Sequence, residues 1–180
     1  MGSPGPATIS LAAAGSSFGV RRSLGYLAGV AAGTAVVLVA VATGITATVL
    51  AVPAMRPVLL GVSAAYILWL AWRIATAPRL GDRTATVPSV VGGTVLGVAN
   101  PKAWVAIAAA FASARLADTA TTDAAAKLAV LVVVMVLILV AWLVAGAAFA
   151  SVLRDPDRVR IVNLVLAVAL VVAAALAVLR

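Results

Sequence analysis

The chain of 180 residues contains no histidine, no cysteine and no glutamate. Without an imidazole, a thiol or a pair of glutamates, no set of nucleophile, base and orienting group can be assembled, so an enzyme is not expected. Soft-metal centres need cysteine or histidine, which removes zinc, copper and iron ligation, and no cofactor is expected. The absence of glutamate also argues against a small multidrug proton antiporter, which relies on an intramembrane glutamate. Charge is scarce at 10% of residues. The five acids, Asp82, Asp118, Asp123, Asp155 and Asp157, fall in polar connecting stretches and read as solvated loop charges.

What remains is apolar. Hydrophobic residues make up 65% of the chain and its mean hydropathy is +1.22, outside the range of soluble domains. A net charge of +8 would point to nucleic acid in a soluble protein. Here the basic residues sit between apolar runs, so they report topology, and the partner is the lipid bilayer rather than nucleic acid. Arginine outnumbers lysine 11 to 2, and alanine and valine dominate, as in a GC-rich bacterial genome.

Runs of about 20 apolar residues cross a bilayer core. By that measure the chain is an all-α membrane protein with about six transmembrane helices. The spans are residues 7–20, 24–52, 58–75, 87–114, 128–153 and 161–179. The first holds only about 14 apolar or small residues, too few for a full crossing. It is read either as a re-entrant half-helix or as the second half of a first helix truncated at its N-terminus. No positive segment precedes it, as a secretory signal would require.

The fourth span is interrupted by Asn100-Pro101-Lys102. Proline removes a helix donor and clashes with the preceding turn. Lysine at depth in hydrocarbon costs about 2.5–3.5 kcal/mol on insertion scales. Lipid cannot satisfy freed backbone groups, so such a break must face protein or a wet cavity. One reading is a short loop with Lys102 snorkelling to a headgroup. The other is a discontinuous helix at a transport site.

A second break opens the chain at Pro4-Gly5-Pro6. Residues 3–14 can be laid over 100–110 with Pro4 on Pro101, each placing a proline kink before a small-residue run. Two breaks, one opening each half, are the pattern of inverted-repeat transporters. The whole chain then forms one integral membrane domain of two inverted three-helix repeats, about 1–78 and 87–180.

Basic residues orient it. Loops after spans one, three and five hold Arg21, Arg22, Arg73, Arg79, Arg83, Arg154, Arg158 and Arg160. Arg56, Arg115, Lys127 and Arg180 lie on the other side. Eight against four makes the odd loops cytoplasmic, in a multi-pass protein of the bacterial cytoplasmic (inner) membrane.

Gly25, Gly29 and Gly33 recur every four residues, and Gly93 and Gly97 do the same. That spacing lets helices approach closely. Packing inside the bundle is the first reading, and a homodimer contact is the alternative. Trp69, Trp72, Trp104 and Trp142 read as interface or packing residues.

Taken in order, Pro4-Gly5-Pro6, the run 19–33, the run 60–73 around Tyr66 and Trp69, and Gly97-Val-Ala-Asn-Pro-Lys-Ala103 resemble the LysE-type amino-acid exporters. That family includes the homoserine and threonine exporters. The resemblance implies a six-helix secondary exporter of small amino acids or related solutes, driven by the proton gradient. Superfamily relatives tied to cell-envelope lipid export supply the alternative: an exporter or accessory membrane protein for a non-amino-acid substrate.

The candidate substrate-binding residues are Pro4, Gly5, Pro6, Thr8, Asn100, Pro101 and Lys102. Each break leaves backbone groups unpaired, and a restarting helix presents a partly positive N-terminus that suits a carboxylate. Lys102 supplies a full counter-charge, or gives up its proton as access alternates. Asn100 offers donor and acceptor to substrate, or caps local amides, and both roles can hold together. Every acid lies in a loop, so a small, neutral amino acid is the expected solute.

Overall fold

The computed structural model describes residues 4–44, 87–113 and 115–152, with Gly2 and scattered helical positions between 58 and 72 and between 161 and 175. Among the described residues all regular structure is helical. Five helices position the site: α1 (Pro6–Phe18), α2 (Val20–Ala42), α3 (Val90–Ala99), α4 (Pro101–Ser113) and α5 (Ala120–Val152). The third and sixth expected spans, the Arg73 to Arg83 loop and the Arg154 to Arg160 turn lie mostly or wholly outside the described residues. The six-span count is therefore carried by the sequence alone.

Helix α1 starts where the sequence allows it. Pro6 occupies the first helical position, where its missing N–H is no loss. All thirteen of its residues are buried, so this short helix is enclosed by protein. Two of its serines turn back on the helix's own carbonyls, whereas Ser17 Oγ is buried without a hydrogen-bond partner among the described residues. Ser10 Oγ donates to the Ala7 carbonyl at 2.8 Å and Ser16 Oγ to Ala13 at 3.0 Å. That leaves them satisfied without water.

Gly19 alone makes the turn into α2, at φ +77°, a left-handed conformation that favours glycine. Arg21 and Arg22, expected in a loop, instead lie exposed in the first turn of α2. Ser23 Oγ donates to the Ala14 carbonyl at 3.1 Å and pins that turn to α1.

Of the run expected to cross from 24 to 52, helix α2 takes in the part up to Ala42, and residues 45–52 lie outside the described residues. Thr43 Oγ1 bonds back to the Val39 carbonyl at 2.9 Å, and Gly44 follows at φ +76°. A glycine in that conformation just past the last turn is a helix stop, even though hydropathy continues beyond it.

Helices α3 and α4 form one bent unit with 56° between them. Ser89 opens α3, its Oγ accepting from the Gly92 amide at 3.1 Å. Helix α2 and, under the same test, residues Ala120–Ala150 of α5 are each long and apolar enough to cross a membrane; the bent pair makes a third candidate.

The fifth run begins eight residues earlier than expected, at Ala120 rather than Leu128. Lys127 and Asp123, placed in a loop by their charge, are one turn apart on α5 and pair at 2.8 Å. Lys127 is buried and also donates to the Phe111 carbonyl at 2.7 Å, tying α5 to the end of α4. Asp123 Oδ1 accepts from the Leu116 amide at 2.5 Å, so it is no free loop charge.

Small residues let the helices meet. A side chain on Gly29 would overlap the Val90 carbonyl oxygen, and one on Gly33 the Thr94 carbonyl oxygen. From the other helix, a Cβ on Gly93 would come 2.5 Å from the Tyr26 carbonyl oxygen, and one on Gly97 2.6 Å from that of Val30. The two glycine pairs thus interlock α2 with α3 within one chain. Gly25 is different: its Cβ would meet only a Val90 methyl, at 3.3 Å. Helices α1 and α5 make a second close crossing, with Gly15 against the Leu143 carbonyl and Gly146 against that of Ala12. Met135, Leu139 and Leu143 form the buried stripe of α5, while Val133, Leu137 and Val144 are exposed on its other faces, as suits lipid.

Candidate functional site

The two breaks lie against each other. Lys102 Nζ donates to the Pro4 carbonyl at 2.5 Å, although 98 positions separate the residues in sequence. Gly5 makes room for this: a Cβ there would stand 2.8 Å from Lys102 Cδ and 3.0 Å from its Nζ.

Local bonding at each break follows from the missing helix bonds. In an unbroken helix the Lys102 amide would bond the Val98 carbonyl. Here it goes to Asn100 Oδ1 at 3.2 Å, which makes buried Asn100 the cap of α4. The Val98 carbonyl is taken up by Trp104, whose Nε1 donates to it at 2.7 Å. Trp104 is buried and belongs to the break, not to a membrane interface. An orphaned carbonyl in an apolar setting costs several kcal/mol, so this indole bond helps the kink to exist. At the other break the Gly5 amide donates to Thr8 Oγ1 at 2.9 Å, and the Thr8 hydroxyl donates to the Gly5 carbonyl at 3.1 Å.

A cavity of about 50 Å³ opens between these elements. Gly5, Ala7 and Thr8 line it from the first break, and Asn100, Lys102, Ala103 and Ala106 from the second. Thr34 of α2 and Met135, Ile138 and Leu139 of α5 complete it. Four of the expected residues, Gly5, Thr8, Asn100 and Lys102, meet at one cavity. Pro4 contributes its carbonyl to the Lys102 bond, whereas Pro6 and Pro101 shape the helix starts and are not in the lining. Thr34 and the three α5 residues were not foreseen. They are ordinary in composition, and only the packing of α2 and α5 against the breaks singles them out.

The hydrogen-bonding inventory of the cavity is lopsided in a useful way. Thr34 Oγ1 donates to the Val30 carbonyl at 2.8 Å, and the Thr8 hydroxyl proton is committed to Gly5. Both hydroxyls therefore have lone pairs, not protons, left to offer. Donors come from the Lys102 ammonium and from the Asn100 amide NH2, which the cap does not use. No carboxylate is among the described lining residues. Such a site can take an anionic group at Lys102 and a donor group at the threonines and the Pro4 carbonyl. Among the described residues, no side chain lining it can neutralise a second cation.

The model of the LysE type translocator family matches residues 1–180. The chain belongs to the LysE type translocator family. It is thus an integral membrane protein of a translocator family. The cysteine/O-acetylserine efflux protein of Escherichia coli O1:K1 / APEC is 33% identical over 171 residues, covering 93% of this chain and 86% of that protein. The cysteine/O-acetylserine efflux protein of Salmonella typhi is 41% identical over 86 residues, or 47% of this chain, and the match spans only 44% of that relative. No solved structure matches this LysE-family chain.

Proposed function

We propose that this protein is a secondary transporter that exports small neutral amino acids or their derivatives across the bacterial cytoplasmic membrane by proton antiport. The observation that carries this reading is the Lys102–Pro4 bond beside a cavity with no carboxylate among its described lining residues. An amino acid with an uncharged side chain matches that inventory. Its carboxylate takes the Lys102 ammonium, a charge-assisted bond worth about 1.5–3 kcal/mol. Its ammonium takes the Pro4 carbonyl and the threonine oxygens. The relatives' names agree with this class, since cysteine and O-acetylserine both have uncharged side chains. Proton coupling falls to Lys102, which in this reading exchanges its proton as access alternates.

The inverted-repeat arrangement is part of the same proposal. Each helix that carries a break packs on the long helix of the other half: α1 on α5, and α3 with α4 on α2. Both crossings rely on glycine against backbone carbonyl. A pair of repeats exchanging their second helices has this form. The loops after spans one, three and five are proposed to face the cytoplasm.

Feeding a dipeptide tests the function. Cells that carry the gene should clear the excess intracellular threonine released from a threonine dipeptide, and cells without it should accumulate it. Equal accumulation in both strains, with a changed envelope lipid composition, would overturn the amino-acid reading in favour of a lipid substrate.

A further inference from the structure

The cavity has a second end that the two breaks do not account for. Its polar groups come from Gly5, Thr8, Thr34, Asn100 and Lys102, whereas α5 contributes only apolar side chains: Met135, Ile138 and Leu139. These three stand at i, i+3 and i+4, so they share one face of the helix. Met135 and Leu139 are both 5% exposed, while Leu137, on another face of the same turn, is 62% exposed. Lipid makes no demand on that inner face, and the cavity does.

We infer that Met135, Ile138 and Leu139 form the subsite for the side chain of the exported amino acid and set its upper size. This inference rests on the proposed amino-acid export. With carboxylate and ammonium held at the breaks, the large apolar side chains left to meet the substrate's side chain are those of α5, beside the small Ala7, Ala103 and Ala106. The α5 wall offers no hydrogen-bonding side chain and consists of three large residues, so it suits an apolar side chain and limits its length. One methylene more or less in an apolar pocket changes discrimination by roughly 10- to 200-fold. Trimming this wall should therefore relax selectivity rather than abolish exchange. Met135, flexible and polarizable, is suited to close on short side chains of differing shape.

Counterflow in proteoliposomes with labelled threonine and labelled leucine tests it. Wild type should exchange threonine well and leucine poorly. Leu139→Ala should raise the leucine-to-threonine ratio about tenfold or more, and Leu137→Ala, on the exposed face, should leave it unchanged. If Leu139→Ala does not accumulate, Ile138→Ala carries the same test, because Ile138 is only half-buried. Threonine exchange with an unchanged ratio in these variants overturns the subsite while leaving amino-acid export standing. An equal rise in Leu137→Ala overturns it too, since general loosening would then be the cause. No amino-acid exchange by wild type would instead sink the export reading on which the subsite depends.

Discussion

Replacing Lys102 with glutamine should reduce export by roughly 10- to 100-fold while the protein inserts and accumulates normally, a loss matching one charge-assisted hydrogen bond. Nothing in the packing demands the lysine: its side chain runs past Gly5 to the Pro4 carbonyl beside the cavity, and glutamine is shorter and fits. What glutamine lacks is the charge that meets a carboxylate and the proton that can be exchanged. Lys102→Arg should fail as well. A guanidinium holds its proton at all accessible pH and is wider than an ammonium, against a glycine whose Cβ position is already only 2.8 Å from Cδ. Efflux assays on membranes with matched protein amounts decide the point, and normal export by Lys102→Gln would return this residue to a headgroup-snorkelling role.

The largest effects on stability are expected at the helix crossings. Gly29→Ala and Gly33→Ala each push a methyl group into a backbone carbonyl of α3, which cannot rotate away as a side chain would. The helices must separate, and overpacking of this kind costs about 1–3 kcal/mol. Gly146→Ala, set against the Ala12 carbonyl, should do the same to the crossing of α1 and α5. Gly25→Ala serves as the control, because its methyl would meet only the Val90 side chain at 3.3 Å, and alanine is the better helix former. Melting of the detergent-solubilised protein should fall clearly in the first three variants and hold in the fourth. Equal losses at Gly25 and Gly29 would show that approach to a backbone carbonyl does not govern these positions.

That contrast also shows how far the sequence could be read. Gly25, Gly29 and Gly33 are identical as letters at a four-residue spacing, yet only two of them lie under a backbone carbonyl. Which glycine does so depends on where α3 crosses α2, and no local pattern encodes that point. The breaks were legible for the opposite reason. Pro4, Pro101 and Lys102 each violate a rule of membrane helices, so each requires a protein environment wherever it lies.

Thr34, Met135, Ile138 and Leu139 violate nothing. In a chain that is 65% hydrophobic, one apolar stripe on α5 looks like any other until its partner is known. Element ends are poorly marked by hydropathy. Lys127 and Asp123 were read as loop because they are charged, but at one-turn spacing they satisfy each other inside α5. At Thr43-Gly44 hydropathy gives no sign of a helix end, yet a hydroxyl bonding back and a left-handed glycine end α2 there.

The central claim is that this site admits a zwitterion with an uncharged side chain and rejects a second cation. A cationic side chain entering a low-dielectric site needs an acidic partner, and among the described residues none lines this cavity beside Lys102. Counterflow in proteoliposomes reconstituted with the wild-type protein measures this most directly. Vesicles loaded with unlabelled threonine should take up labelled threonine, and lysine-loaded vesicles should take up labelled lysine only at the protein-free background. Robust lysine exchange without threonine exchange would contradict the account.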